Sequence, residues 1–143
     1  MHLGHARRRK VRVHWPISPE VFALLIAGDT DSLSDHPALA PLLTAIHDTP
    51  ELGDFGDYTS VVETSLGYEG FTVGPAATPT LGIPGQRTIS PTLVMTTYVD
   101  ATVAQERLNR ILLDLVAAHP WEVPVIELTD AVTLVTAQAE ERS

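Results

Sequence analysis

Twice along this chain a run of alternating residues leads straight into an amphipathic helix that carries its own start and stop signals. This pairing constrains the fold more than any other feature, because a strand followed by a helix buries its apolar face by laying the helix back across its own sheet. The first run is Lys10-Val11-Arg12-Val13-His14-Trp15-Pro16, with Val11, Val13 and Trp15 on one face and Arg12 and His14 on the other. Ser18-Pro19-Glu20 then opens a helix: Ser supplies an N-cap oxygen, Pro fits the first helical position, and Glu puts negative charge in the first turn. That helix carries Val21, Phe22, Leu24, Leu25 and Ile26 and stops at Gly28. The second run is Arg87 to Val99, with Leu93, Met95, Thr97 and Val99 on one parity and Val94, Thr96 and Tyr98 on the other. Apolar residues on both parities predict burial on two faces, as at a subunit contact. Asp100-Ala101-Thr102 starts its helix, with Thr102 and Gln105 spaced as a capping box. Leu108, Ile111, Leu112 and Leu115 form the buried stripe, Glu106 and Arg110 an i,i+4 pair, and Pro120 the stop.

The rest of the chain fills in around these two units. Residues 29–35 read as a loop, and Asp35-His36-Pro37 opens a short helix bearing Leu39, Leu42, Leu43 and Ile46, so 29–50 is a helical extension. Tyr58 to Leu66 predicts a strand, Gly67 to Gly70 a hairpin turn, and Phe71 to Val73 the returning strand. Residues 74–86 are rich in Gly, Pro, Ala and Thr and predict a long loop, a feature that compact domains usually keep for function. Val123 to Leu128 predicts a strand and Ala131 to Thr136 one more. Residues 1–9 read as a disordered basic arm and 137–143 as a frayed tail, leaving 10–136 as one domain. Long strands near 10–16, 57–66, 88–99 and 123–129, with helices after the first and third, give the split βαβ pattern. The predicted class is α+β, a ferredoxin-like sandwich with an antiparallel sheet and helices on one face.

Composition narrows the chemistry. The 143 residues contain no cysteine, which excludes disulfides, thiolate metal sites and cysteine nucleophiles. The formal net charge is -9, yet five of the nine basic residues fall at Arg7, Arg8, Arg9, Lys10 and Arg12, and every acidic residue lies at or after Glu20. An acidic body repels phosphate backbones, so no nucleic-acid partner is expected, and the basic run reads as a solvated arm able to fold onto acidic surface. Val21 to Ala27 is too short for a signal-peptide core or a membrane span, which makes a cytoplasmic protein with no membrane partner the default expectation.

Three pieces of sequence resemble a known family. They are Gly56-Asp57-Tyr58 with the following strand and Gly-containing segment to Phe71, the loop Pro79-Thr80-Leu81-Gly82-Ile83-Pro84-Gly85, and Ala117-Ala118-His119-Pro120-Trp121-Glu122-Val123-Pro124. The stretch from Gly56 to Leu128 resembles the CutA/PII-like middle domain inserted in the NGG-one-interacting-factor-three family, here as a stand-alone domain. CutA proteins carry a His-Pro-Tyr-Glu-Val motif at the same topological place, where this chain has Trp121 instead of Tyr. The resemblance implies a ferredoxin-like fold and a homotrimer. It does not bring the larger family's two-metal chemistry, whose His and acidic motifs sit in flanking domains.

Candidate sites are few. His119 and His14 are the candidate metal pair, since strands one and four are neighbours in this topology and imidazole ligates divalent ions; two ligands still fall short of the three or four a site needs. The competing reading gives His119 and Pro120 to helix termination. Glu122, Trp121 and Tyr58 are the candidate ligand-binding residues, with the 74–86 loop as a cover over a cleft between subunits. Asp48, Glu51, Asp54 and Asp57 lack calcium-loop spacing. No nucleophile elbow and no phosphate-loop lysine are present. The expected function is a non-enzymatic, trimeric module binding a small ligand or divalent metal. A structural or protein-interaction module and a metal-dependent hydrolase are the alternatives.

Overall fold

Alternation puts Val11, Val13 and Trp15 on one side of a strand, and in the computed structural model that strand is the centre of the sheet. The structure describes residues 2–121 and 124–138. The elements are β1 (His2–Pro16), α1 (Pro19–Ile26), α2 (Asp31–Asp35), α3 (Ala40–His47), β2 (Glu63–Thr72), β3 (Arg87–Asp100), α4 (Gln105–Ala118) and β4 (Ile126–Gln138). The sheet order is β2-β3-β1-β4, and every neighbouring pair is antiparallel. This is the ferredoxin-like split βαβ arrangement: β1 and β3 lie at the centre, and each is followed by a helix that returns over one face.

That face is the core. Val11, Val13 and Trp15 of β1 and Leu93, Met95 and Val99 of β3 are buried against Val21 of α1, Leu42 and Ile46 of α3, and Leu108, Ile111 and Leu115 of α4. The one polar residue in this row, Thr97, is fully buried and gives its hydroxyl to the Val61 carbonyl at 2.9 Å, so its burial leaves no unpaired donor. The opposite parity of the sheet, including Lys10, Arg12, His14, Val94, Thr96 and Tyr98, is half-exposed.

Local signals explain the helices. Ser18 caps α1 by accepting the Val21 N–H at 3.1 Å. At α4 the capping box does not form: Ala104 is the N-cap, and Asp100 takes the Thr102 N–H at 2.8 Å and hydroxyl at 2.6 Å in a turn just before the helix. Glu51, beyond the end of α3, forms a two-point ion pair with Arg107 on α4, at 2.5 and 2.9 Å, and the Arg107 guanidinium holds its carboxyl below the usual range.

Three segments differ from the sequence expectation. Residues 2–9 are not a disordered arm: they continue β1 and pair with β4 from His2 opposite Gln138 to Arg9 opposite Ala131. The basic side chains are tied down by β4, with Arg7 on Thr133 Oγ1 and the Ala131 carbonyl and Arg9 on the Thr129 carbonyl. β4 is one strand rather than two. A bulge sets Thr129 and Asp130 opposite Lys10, whose N–H goes to Thr129 Oγ1 at 2.9 Å, and the extra residue flips the later side chains to a new register. Finally, β2 runs without a turn through Gly67-Tyr68-Glu69-Gly70. At Gly70 the Arg87 guanidinium lies 2.5 Å from where a Cβ would be, so the arginine crosses the strand closely here, and the glycine sits within a continuous strand instead of a hairpin.

β2 starts later than the alternation suggests because 53–62 is held as irregular chain. Gly53 donates to the Tyr98 carbonyl and accepts from Val61 N–H, with φ +67 and Val61 backbone atoms 2.4 Å from where a Cβ would lie. Any side chain there breaks the seam. Amide hydrogen exchange tests the strand at 2–9: protection well above random-coil rates is expected across Leu3 to Arg9, whereas complete exchange in the first time points would restore the disordered arm.

Candidate functional site

The site grows from the end of α4. Ala118 is its last residue, and His119 takes an extended C-cap conformation, with Pro120 preventing another turn. The His119 ring turns under β1 and is 7% exposed. Its Nε2–H donates to the His14 carbonyl at 2.6 Å, and its Nδ1 accepts the Trp121 N–H at 3.1 Å. These two bonds together require the neutral Nε2–H tautomer. Trp15 and Trp121 stand edge-on to the ring at 5.0 and 5.8 Å. Burial pushes the His119 pKa below 6.5, opposed in part by the His14 carbonyl and the nearby Glu69 carboxylate. Glu69 itself has a buried carboxylate oxygen with no hydrogen-bond partner among the described residues.

This geometry corrects the metal expectation. The structure brings His14 and His119 together as carbonyl and ring, not as two ligands, and neither His119 nitrogen keeps a free lone pair. Among the described residues, no group of three or more His, Asp or Glu could hold a metal ion. Of the acidic residues near 48–57, Glu51 is committed to Arg107 and Asp54 Oδ1 accepts the Gly56 N–H at 3.0 Å.

Trp121 does line a cavity. Its ring meets Phe71 edge-on at 5.5 Å, and together with Val73, Ala77, Pro79 and Leu81 the pair lines an open-sided hollow of about 280 Å³. One wall is the β2–β3 loop, which is more ordered than its composition suggests. Val73 donates to the Gln86 carbonyl at 3.0 Å and accepts from Gly85 N–H at 2.6 Å, closing the loop base. Gly82, at φ +98, sits where a Cβ would be 2.5 Å from Thr88 Oγ1 and 2.9 Å from Val73 Cγ2, so only glycine lets the loop pack down. Thr80 Oγ1 donates to the Pro120 carbonyl at 2.9 Å and ties the loop to the segment after α4. Two further hollows of similar size, about 270 and 300 Å³, lie between the α2–α3 extension and β2, sharing Thr30, Leu33, Thr64 and Leu93 in their walls.

The candidate ligand residues therefore separate. Trp121 is in the cavity wall. Tyr58 is 75% exposed and lies in the 53–62 segment beside Tyr98, at the other end of β2 from Phe71. Glu122 lies outside the described residues. Phe71 and Val73, read from sequence only as strand, and Leu81, read only as part of the loop, were not assigned to a site; the one signal was an apolar Leu81 and Ile83 inside a Gly/Pro loop.

Compared with known proteins, no protein-family profile matches the sequence and no curated protein matches it. Among solved structures, the chain is similar to a Bacillus cereus protein related to NIF3, at 15% identity and a TM-score of 0.54. The likeness covers 92% of this chain and 29% of that protein, so the chain spans under a third of its solved neighbour's length. At that identity the likeness shows the fold, and it agrees with the resemblance drawn from the sequence to the NGG-one-interacting-factor-three family. No helix among the described residues is long and apolar enough to cross a membrane.

A pH dependence follows from His119. The folded state binds its proton less readily than the unfolded state, so its contribution to stability is complete above about pH 6.5 and is lost as pH falls through the lower folded value. Thermal melts between pH 7.5 and 5 are expected to show a falling Tm for the native sequence and a flatter profile for His119→Gln. Equal slopes for the two proteins would remove the neutral latch.

Proposed function

We propose that this chain is a non-enzymatic CutA/PII-like module that binds a small molecule in the cavity beneath the β2–β3 loop and works as a homotrimer. The observation that carries the reading is the open-sided apolar hollow of about 280 Å³ formed where the loop, Phe71 and Trp121 meet. Pockets of this kind, concave and largely apolar, are the usual form of small-ligand sites. The hydrogen bonds that close the loop base at Val73 and fasten Thr80 to Pro120 support it, because a preformed wall lowers the ordering cost of binding. A metal role has less support, since both His119 nitrogens are engaged. Assembly is supported by the half-exposed sheet face, where Val94 and Tyr98 lie among Lys10, Arg12, His14 and Thr96, a mixed surface that a neighbouring subunit would cover. A cytoplasmic setting without nucleic acid or membrane partners belongs to the same proposal.

Light scattering coupled to size exclusion tests the assembly: three times 15.5 kDa is expected, and a monomer at micromolar concentration contradicts it. Differential scanning fluorimetry against a small-molecule fragment set tests the ligand. A compound that binds the folded state raises Tm by mass action. The rise is expected to disappear in Trp121→Ala; a rise that survives this substitution places the ligand elsewhere.

A further inference from the structure

We infer that the cavity under the β2–β3 loop takes an uncharged aromatic molecule of one or two rings, and not a nucleotide or another phosphate-bearing ligand. This rests on the reading of that cavity as the ligand site and adds the chemical class. Among the described residues its wall is Phe71, Val73, Ala77, Pro79, Leu81 and Trp121, joined by Thr72, Gly74 and Thr80, with no charged side chain. Thr80 has already given its hydroxyl proton to the Pro120 carbonyl. A phosphate seated on this wall would give up part of its water and find no cation among these residues in return, an unfavourable exchange. The net charge of -9 adds repulsion for any anion approaching from solution.

What the wall does offer fits a ring. Phe71 and Trp121 stand edge to face at 66°, so a planar guest can stack on one ring and meet the edge of the other. Size sets the upper limit. An apolar cavity of about 150 Å³ holds a benzene, and this one, at about 280 Å³, has room for a fused or linked pair of rings. Leu81, 43% exposed on the loop, forms the rim over which such a guest would enter.

Titration of the chain with 6-propionyl-2-(dimethylamino)naphthalene, a neutral two-ring probe that brightens in apolar surroundings, tests this, with ATP as the charged comparison. Saturable brightening at one site per chain is expected. Leu81→Asp, a change at a partly exposed position, should weaken it by at least about tenfold. Ile83→Asp, on the same loop but outside the cavity wall, should leave it unchanged. Binding of ATP that Leu81→Asp abolishes, with no binding of the neutral probe, would overturn the ligand class while keeping the cavity as a ligand site. Absence of binding by both, with no fragment raising Tm, would remove the ligand site itself. Probe binding that ignores Leu81→Asp would place the probe in another hollow and overturn the inference. So would a lower assembled mass for Leu81→Asp with brightening seen only in the dissociated chain, since the cavity would then belong to a subunit contact.

Discussion

The His119 imidazole joins the helix layer to the sheet at the point where the candidate site begins. One nitrogen gives its proton to a β1 carbonyl and the other receives the Trp121 N–H. The ring thus satisfies two buried backbone groups and sets the direction in which the chain leaves α4. Trp121 reaches Phe71 because of that direction, and the cavity exists because Trp121 is there. A neutral imidazole can accept at one nitrogen and donate at the other, which matches these two partners. Its burial between Trp15 and Trp121 keeps it neutral, so the same environment that makes it a good joint makes it a poor metal ligand.

β1 plays the corresponding part in the sheet. It pairs along both edges, with β3 from Arg8 to Pro16 and with β4 from His2 to Val13. Its core face carries Val11, Val13 and Trp15, and its C-terminal end offers the His14 carbonyl to His119. Beyond Arg8 the β1–β4 pair continues without β3 as a two-stranded ribbon, fastened by arginine side chains to β4 carbonyl and hydroxyl groups. A cluster of positive charge that would be costly in an apolar interior is well suited to such a half-wet ribbon, where each guanidinium finds oxygen acceptors.

Much of this could be read from sequence because it is local. The period-2 run at Val11 to Trp15, the Ser18-Pro19 cap, the apolar stripe of α4 and the proline stop each depend on neighbours within a few residues, and each is where the pattern put it. The loop at 74–86 came from composition and Trp121 from the motif, and the two share the wall of one hollow. What failed depended on distant partners. Arg7 to Arg9 read as a free arm because their acceptors are distant in the chain: Ala131 and Thr133 for Arg7, Thr129 for Arg9, and the Asp54 carbonyl for Arg8. Gly67 and Gly70 look like turn residues until β3 is placed beside them, with Gly67 opposite Thr92 and Gly70 opposite Ile89. The His119 role hinged on the His14 carbonyl, a backbone atom that carries no sequence signal, and Tyr58 was grouped with Trp121 by motif although β2 separates them.

The central claim is that Trp121 and the β2–β3 loop form one ligand cavity held in place by His119. The chain has two tryptophans, which makes a direct measurement available. Trp15 is 2% exposed and donates its indole N–H to the Ala38 carbonyl at 3.0 Å, well inside the core, so it serves as an internal reference. In an amide and indole ¹H–¹⁵N spectrum titrated with indole, the account predicts shifts of the Trp121 side-chain peak and of amides between Phe71 and Leu81, with the Trp15 peak fixed. Shifts confined to the α2–α3 side of the molecule, with Trp121 and the loop unmoved, would contradict it.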